Sequence, residues 1–180
     1  LQFMLQVHIH YIDGTAEIIK SSLYDGWKVS NTGAIRNNGI FDGELYDAQM
    51  EQMGWNTPDF QMTKDWKEPL LMEAPEGKLV SQILEPIKVV RELSPVAVTY
   101  PREGVCVADF GQNFSGWIRL HIKGAAGDKV TIKYSEIVCD EGFVLTENLR
   151  VAKNTDIYIL KGFDEEIYEP RFTYHGFRYV

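Results

Sequence analysis

Ile118-Arg119-Leu120-His121-Ile122-Lys123-Gly124-Ala125-Ala126-Gly127-Asp128-Lys129-Val130-Thr131-Ile132-Lys133-Tyr134 decides the fold class. Apolar and polar side chains alternate on both sides of the small residues 124–127. A period of two places one face of an extended strand on a core and the other in water. Gly124 and Gly127 bound a turn, so the stretch reads as two antiparallel strands. The same alternation recurs at Leu5, Val7, Ile9 and Tyr11. Asp13-Gly14, Asp25-Gly26, Asn38-Gly39 and Asp42-Gly43 supply the φ > 0 positions that tight hairpins need. Strands of about 5–8 residues with a turn signal about every 8–12 predict an all-β chain built as an antiparallel β-sandwich, with little helix. Only residues 47–53 and 147–152 suggest a helical turn or two, and neither carries an apolar stripe.

Composition limits the rest. The chain has 180 residues, 44% hydrophobic and 24% charged, which suits one domain or two small ones with a real core. A net charge of −8 argues against a nucleic-acid-binding face. No apolar run reaches the length of a membrane helix. Cys106 and Cys139 are too few for a disulfide framework and read as two half-buried thiols. The four histidines are scattered and match no zinc spacing. The chain opens and closes within apolar stretches, Leu1-Gln2-Phe3-Met4-Leu5 and Tyr179-Val180, so it is expected to be a piece of something larger. Its compartment stays open.

Residues 54–78 contain Pro58, Pro69 and Pro75 and read as irregular chain. Residues 81–91 read as extended, and Pro95 and Pro101 bracket a short strand at 96–100. These changes place a boundary near residues 90–95, giving regions 1–90 and 91–180.

Four residues are candidates for carbohydrate contact. Trp55 and Trp66 offer aromatic faces for the C–H side of a pyranose, and Glu44 and Asp47 offer carboxylates for its hydroxyls. The plainer alternative makes both tryptophans core anchors. Glu44, Asp47 and Glu51 also form a short acidic run, but nothing in it indicates the raised carboxyl of a glycosidase acid. Asp109-Phe110-Gly111-Gln112-Asn113-Phe114-Ser115-Gly116-Trp117 reads as a bend before a strand. It has no Lys after its glycines, so it is not a phosphate loop. His175 lies among aromatics with no Ser or Cys elbow and reads as structural. Arg178 is expected to pair with Glu169 or Asp109.

Five runs in order resemble the non-catalytic β-sandwich region of bacterial α-L-rhamnosidases, glycoside hydrolase family 78. They are Gly43-Glu44-Leu45-Tyr46-Asp47-Ala48-Gln49 with Gly54-Trp55; Asp109-Phe110-Gly111-Gln112-Asn113 with Gly116; residues 127–136; Thr146-Glu147-Asn148-Leu149-Arg150 with Thr155-Asp156; and residues 168–180. The resemblance implies that residues 1–90 are the later part of an N-terminal jelly-roll or galactose-binding-like sandwich. Residues 91–180 would be a concanavalin-like sandwich. It further implies an (α/α)₆ barrel on the same polypeptide that hydrolyses terminal α-L-rhamnose with inversion. This segment then carries no catalytic residue. Met50-Glu51-Gln52-Met53-Gly54-Trp55 imitates the barrel's acidic motif but lacks its Asp and Arg. Gln49 stands where the family usually has Arg, which removes a bidentate carboxylate partner. Calcium serves some family members, yet no ligand set maps onto this sequence, so no metal or other cofactor is assigned.

The expected partners are that barrel and a rhamnose-containing glycan, with no nucleic acid and no membrane. The alternatives are a carbohydrate-binding module acting by itself and a purely structural spacer. An exposed sheet edge in the first region is expected to promote dimerisation.

Overall fold

The computed structural model describes residues 2–74, 76–78 and 80–180. Leu1 and Pro75, used in the sequence reading, lie outside them. The backbone is almost entirely strand and loop. It divides into two compact units, Leu1–Thr32 with Gly54–Glu85, and Gly33–Met53 with Pro86–Val180. Residues 33–53 therefore pack with the later chain rather than with their sequence neighbours.

In the first unit, β1 (Gln6–His10) and β2 (Ala16–Lys20) form an antiparallel hairpin with His8 opposite Ile18. Asp13 Oδ1 accepts from the Thr15 N–H at 2.9 Å and from its hydroxyl at 2.7 Å, and Gly14 takes φ +86°. The Asp-Gly pair thus makes the turn its chemistry favours. The alternation does not bury a face, because Val7, Ile18 and Ile19 all remain exposed. An isolated bridge between Val29 and Lys67 and a Lys28–Glu68 ion pair tie the irregular segment to residues 22–32. The described residues of 81–91 join no strand.

The second unit holds nine strands: β3 (Ile35–Gly39), β4 (Gly43–Asp47), β5 (Ala97–Arg102), β6 (Val105–Gly116), β7 (Leu120–Ile122), β8 (Lys129–Lys133), β9 (Thr155–Ile159), β10 (Glu166–Tyr168) and β11 (His175–Tyr179). Their sheets run β3-β4-β9-β8, β11-β6-β5 and β10-β7. Ile132, Tyr134, Tyr158, Leu160, Tyr168 and Phe177 from these sheets share one core with Ala48. This is a β-sandwich, as expected. One pairing departs from the antiparallel pattern: β4 runs parallel to β9, with Tyr46 opposite Tyr158.

Several local expectations are corrected. Asn38-Gly39 is the end of β3 rather than a turn, and Gly43, at φ +97°, absorbs the reversal. Residues 109–116 are not a bend but the last eight residues of the twelve-residue β6. Gly111 at φ +75° lets this strand kink while it stays paired, and its N–H donates to Asp109 Oδ1 at 2.7 Å. The strand after Pro95 continues through Pro101, which a sheet edge tolerates because no partner needs the missing N–H. Cys106 is exposed, and only Cys139 is half-buried. The two helical candidates are single 3₁₀ turns, Ala48–Met50 and Glu147–Leu149.

Candidate functional site

The four candidate contact residues fall on different units. Trp55 and Trp66 belong to the first, Glu44 and Asp47 to the second. Trp55 is 64% exposed. Trp66 is half-buried, with Phe60 packed edge-on at 5.7 Å. Glu44 and Asp47 point to opposite faces of β4 because strand side chains alternate. Asp47 Oδ1 accepts the Gln49 N–H at 3.0 Å and caps the following 3₁₀ turn.

Glu44 is 1% exposed and belongs to a buried polar network. Its carboxylate accepts from Asn38 Nδ2 at 2.9 Å, the Tyr168 hydroxyl at 3.1 Å and the Arg171 N–H at 3.3 Å. Burial pushes the Glu44 carboxyl above the usual range despite these donors. The Glu44 N–H reaches Asp156 Oδ1 at 2.8 Å, and the Tyr134 hydroxyl donates to Asp156 Oδ2 at 2.6 Å. His175 stacks on Tyr134 with ring centres 3.9 Å apart. Its Nε2 lies 3.2 Å from both Asp156 oxygens, and its Nδ1 lies 2.6 Å from Asn154 Oδ1. Both ring nitrogens meet acceptors within the fold, which leaves neither for proton exchange with a ligand. Arg178 forks onto Asp109, one of its two expected partners, with two bonds of 2.8 Å. Glu169 pairs instead with Arg119.

A different arrangement lies beside Glu44. Tyr46, Tyr158 and Tyr168 form a cluster, with ring centres 5.8 Å apart for the first pair and 4.7 Å for the second. The parallel β4–β9 pairing creates it by setting Tyr46 beside Tyr158. The cluster lines an open cleft of about 420 Å³. Trp117 and Ile167 also line it. Glu51 accepts from the Tyr46 hydroxyl at 2.8 Å and pairs with Lys161. Burial, then the Glu51 carboxylate, raises the Tyr46 hydroxyl far above the usual tyrosine range. Glu169 accepts from Trp117 Nε1 at 3.2 Å. Burial would raise the Glu169 carboxyl, but Arg119 and Trp117 hold it below the usual range. Pro170 and Arg171 complete the lining, and the Arg171 guanidinium, which makes no hydrogen bond or ion pair among the described residues, acts on Glu169 and Tyr46 through its charge.

Sequence reasoning singled out none of Tyr158, Tyr168 or Arg171 for a site. The available signal was weak: Tyr158 stands in the apolar run Ile157-Tyr158-Ile159-Leu160 and Tyr168 between Ile167 and Glu169, which suggests buried strands and not a shared cleft. A second, larger groove of about 1240 Å³ opens along β6, β7 and β8 and is lined by Phe110, Phe114, Leu120 and Val130. Among the described residues, no three His, Cys, Asp or Glu side chains converge as metal ligands. No helix among them is long and apolar enough to cross a membrane.

Comparison with known proteins adds the following. Residues 1–91 match the family described as alpha-L-rhamnosidase N-terminal domain, and residues 99–180 match the bacterial alpha-L-rhamnosidase concanavalin-like domain. An alpha-L-rhamnosidase of Streptomyces avermitilis is 41% identical over 179 residues, covering 98% of this chain and 17% of the relative. One from Alteromonas sp. is 31% identical over 180 residues, covering 99% and 19%. Among solved structures, the alpha-L-rhamnosidase from Dictyoglumus thermophilum superposes with a TM-score of 0.90 at 40% identity, covering 98% of this chain and 20% of that one. The Streptomyces avermitilis enzyme complexed with L-rhamnose gives 0.88 at 40% identity, covering 98% and 17%. The chain therefore spans about a fifth of the length of the relatives it matches.

Proposed function

The chain belongs to the alpha-L-rhamnosidase family through both of its regions, and from that membership we propose that it is a non-catalytic accessory β-sandwich segment of an inverting α-L-rhamnosidase. The enzyme would hydrolyse terminal α-L-rhamnose from glycosides or polysaccharides, with the reaction carried by an (α/α)₆ barrel of the same polypeptide. The observation that carries this reading is the alignment itself, a near-complete match to about a fifth of each relative.

The chemistry agrees with it. Inversion needs one carboxylic acid to protonate the leaving oxygen and one carboxylate to activate water, about 6.5–9.5 Å apart. Glu44 has the raised carboxyl of an acid but is enclosed by its three donors. Glu51 is engaged by Lys161 and Tyr46. The work left to this segment is to pack against the rest of the enzyme and shape its surroundings. The groove along β6–β8, lined by Phe110, Phe114, Leu120 and Val130, offers an apolar face for packing of that kind.

The 180-residue chain, incubated with 4-nitrophenyl α-L-rhamnopyranoside, is expected to release no nitrophenol above the buffer rate. Turnover that is abolished by Glu44→Gln or Glu51→Gln would overturn the non-catalytic reading.

A further inference from the structure

We propose that the tyrosine-lined cleft of the second unit is a saccharide subsite that holds one pyranose ring. Three features point there. The first is space. The cleft, at about 420 Å³, lies within the roughly 300–1,000 Å³ of small-molecule sites. It is open, so a ring at the end of a longer glycan can enter.

The second feature is the apolar surface. Tyr46, Tyr158 and Tyr168 pack as a fixed aromatic cluster, and Tyr158 and Tyr168 are buried. Their polar ends are already committed: Tyr46 to Glu51, Tyr158 to Glu166 and Tyr168 to Glu44. Tyr158 and Tyr168 back the half-buried Tyr46, whose ring, with the half-buried Trp117 indole, is the aromatic surface left for the C–H face of a sugar. Ile167, 59% exposed, adds an apolar wall.

The third feature is the polar set. Glu51 and Glu169 are each anchored by two protein donors, so their carboxylates are held in place. A carboxylate has about four acceptor positions. Each of these two uses two on the protein and keeps others for hydroxyl hydrogens. Arg171 complements them. Its backbone N–H is fixed on Glu44 at 3.3 Å, while its guanidinium donors are unused among the described residues. An aromatic floor, two oriented acceptors and one free donor match a polyhydroxylated ring.

That the ring is a rhamnoside rests on the proposed rhamnosidase reading. That the cleft binds a sugar rests on its geometry alone. The test uses the ¹⁵N-labelled 180-residue chain titrated with methyl α-L-rhamnopyranoside into the tens of millimolar. The reporter is the Trp117 indole N–H, assigned through Trp117→Phe. A saturable shift of this signal is expected. Arg171→Ala should weaken binding about tenfold, the loss of one charge-assisted hydrogen bond. Its unfolding midpoint should change little, because the side chain makes no hydrogen bond or ion pair among the described residues and acts on Glu169 and Tyr46 only through its charge. Glu51→Gln should weaken binding in the same way.

D-galactose and D-glucose serve as further probes. A shift with these but not with the rhamnoside supports the subsite and counts against its rhamnose specificity. No saturable shift with any of them overturns the subsite while the accessory reading stands, because that reading is tested by hydrolysis. A shift confined to Trp55 or Trp66 also overturns it, since those residues belong to the other unit.

Discussion

Replacing Asp156 should come close to unfolding the second unit. Its side chain is fully buried, and three donors converge on it: the Glu44 N–H at 2.8 Å, the Tyr134 hydroxyl at 2.6 Å and His175 Nε2 at 3.2 Å. Asp156→Ala leaves all three without an acceptor. A buried donor so stranded costs about 1–3 kcal/mol. With three of them, partly relieved by local relaxation, the expected loss is about 4–6 kcal/mol. Native domains have only about 5–15 kcal/mol in all. Asp156→Asn retains one acceptor, and the Tyr134 hydroxyl can rotate to accept from the new amide. It should lose about 2–3 kcal/mol and remain foldable. Trp117 is the only one of the four tryptophans in this unit. Urea unfolding followed by its fluorescence, with Trp27, Trp55 and Trp66 changed to Phe, reads the loss directly. A change below about 1 kcal/mol for Asp156→Ala at unchanged denaturant slope would refute the assignment of this network as a structural keystone.

Four further predictions rest on particular contacts. A Cβ at Gly43 would stand 2.6 Å from the Thr155 carbonyl carbon and 2.7 Å from Asp156 Oδ1, at φ +97°. Gly43→Ala should therefore lose about 2–5 kcal/mol by the same urea assay, from left-handed strain plus overpacking. Gly14 at φ +86° has open space around it, so Gly14→Ala should cost only the strain, about 1–2 kcal/mol.

The pH dependence of stability should carry two opposed components. Burial raises the Glu44 carboxyl, so the folded chain binds that proton more tightly than the unfolded chain. Its contribution is full below the ordinary value of 4.5 and is lost as pH rises through the elevated one. Burial would also raise Glu166, but the Lys161 N–H, the Tyr158 hydroxyl and the N–H groups of Gly162 and Phe163 hold it low. Its contribution is therefore present above the ordinary value and lost as pH falls through the lowered one. Glu44→Gln should grow more stable relative to the parent chain as pH rises from about 4 to about 8, and parallel curves would contradict this. The β1–β2 hairpin, with exposed apolar residues and free strand edges, is expected to promote self-association. Light scattering across a wide concentration range should then reveal a dimer, and a concentration-independent monomer would count against it.

Local signals were legible where they were strong. Alternation located β7 and β8, and Asp13-Gly14 located the first hairpin. The sequence offered Glu169 and Asp109 alike as partners of Arg178, and only the pairing of β6 with β11 decides for Asp109. Turn chemistry misled at residues 109–116, where Gly111 kinks a strand that neighbours hold on both sides. The faces of Glu44 and Asp47 could be told apart by parity, but not which of them is buried. That depends on β9, more than a hundred residues away, which covers the start of β4 and supplies Asp156. The cleft was hidden for the same reason. Its three tyrosines come from β4, β9 and β10, and periodicity within one segment carries no information about pairing between distant ones.

The β4–β9 pairing also has a consequence for biosynthesis. Glu44 and Asp156, which it brings together, are 112 residues apart. At about 5–20 residues per second, a ribosome needs roughly 5–20 s to make the intervening chain. During that interval β3 and β4 exist as a lone hairpin, and the Glu44 carboxylate, later enclosed, is still in water. Closing so long a loop raises the contact order and slows folding. The second unit should thus be the later of the two to mature on the ribosome. The nascent chain would be most open to aggregation and to chaperone capture in the seconds before Thr155–Ile159 emerges.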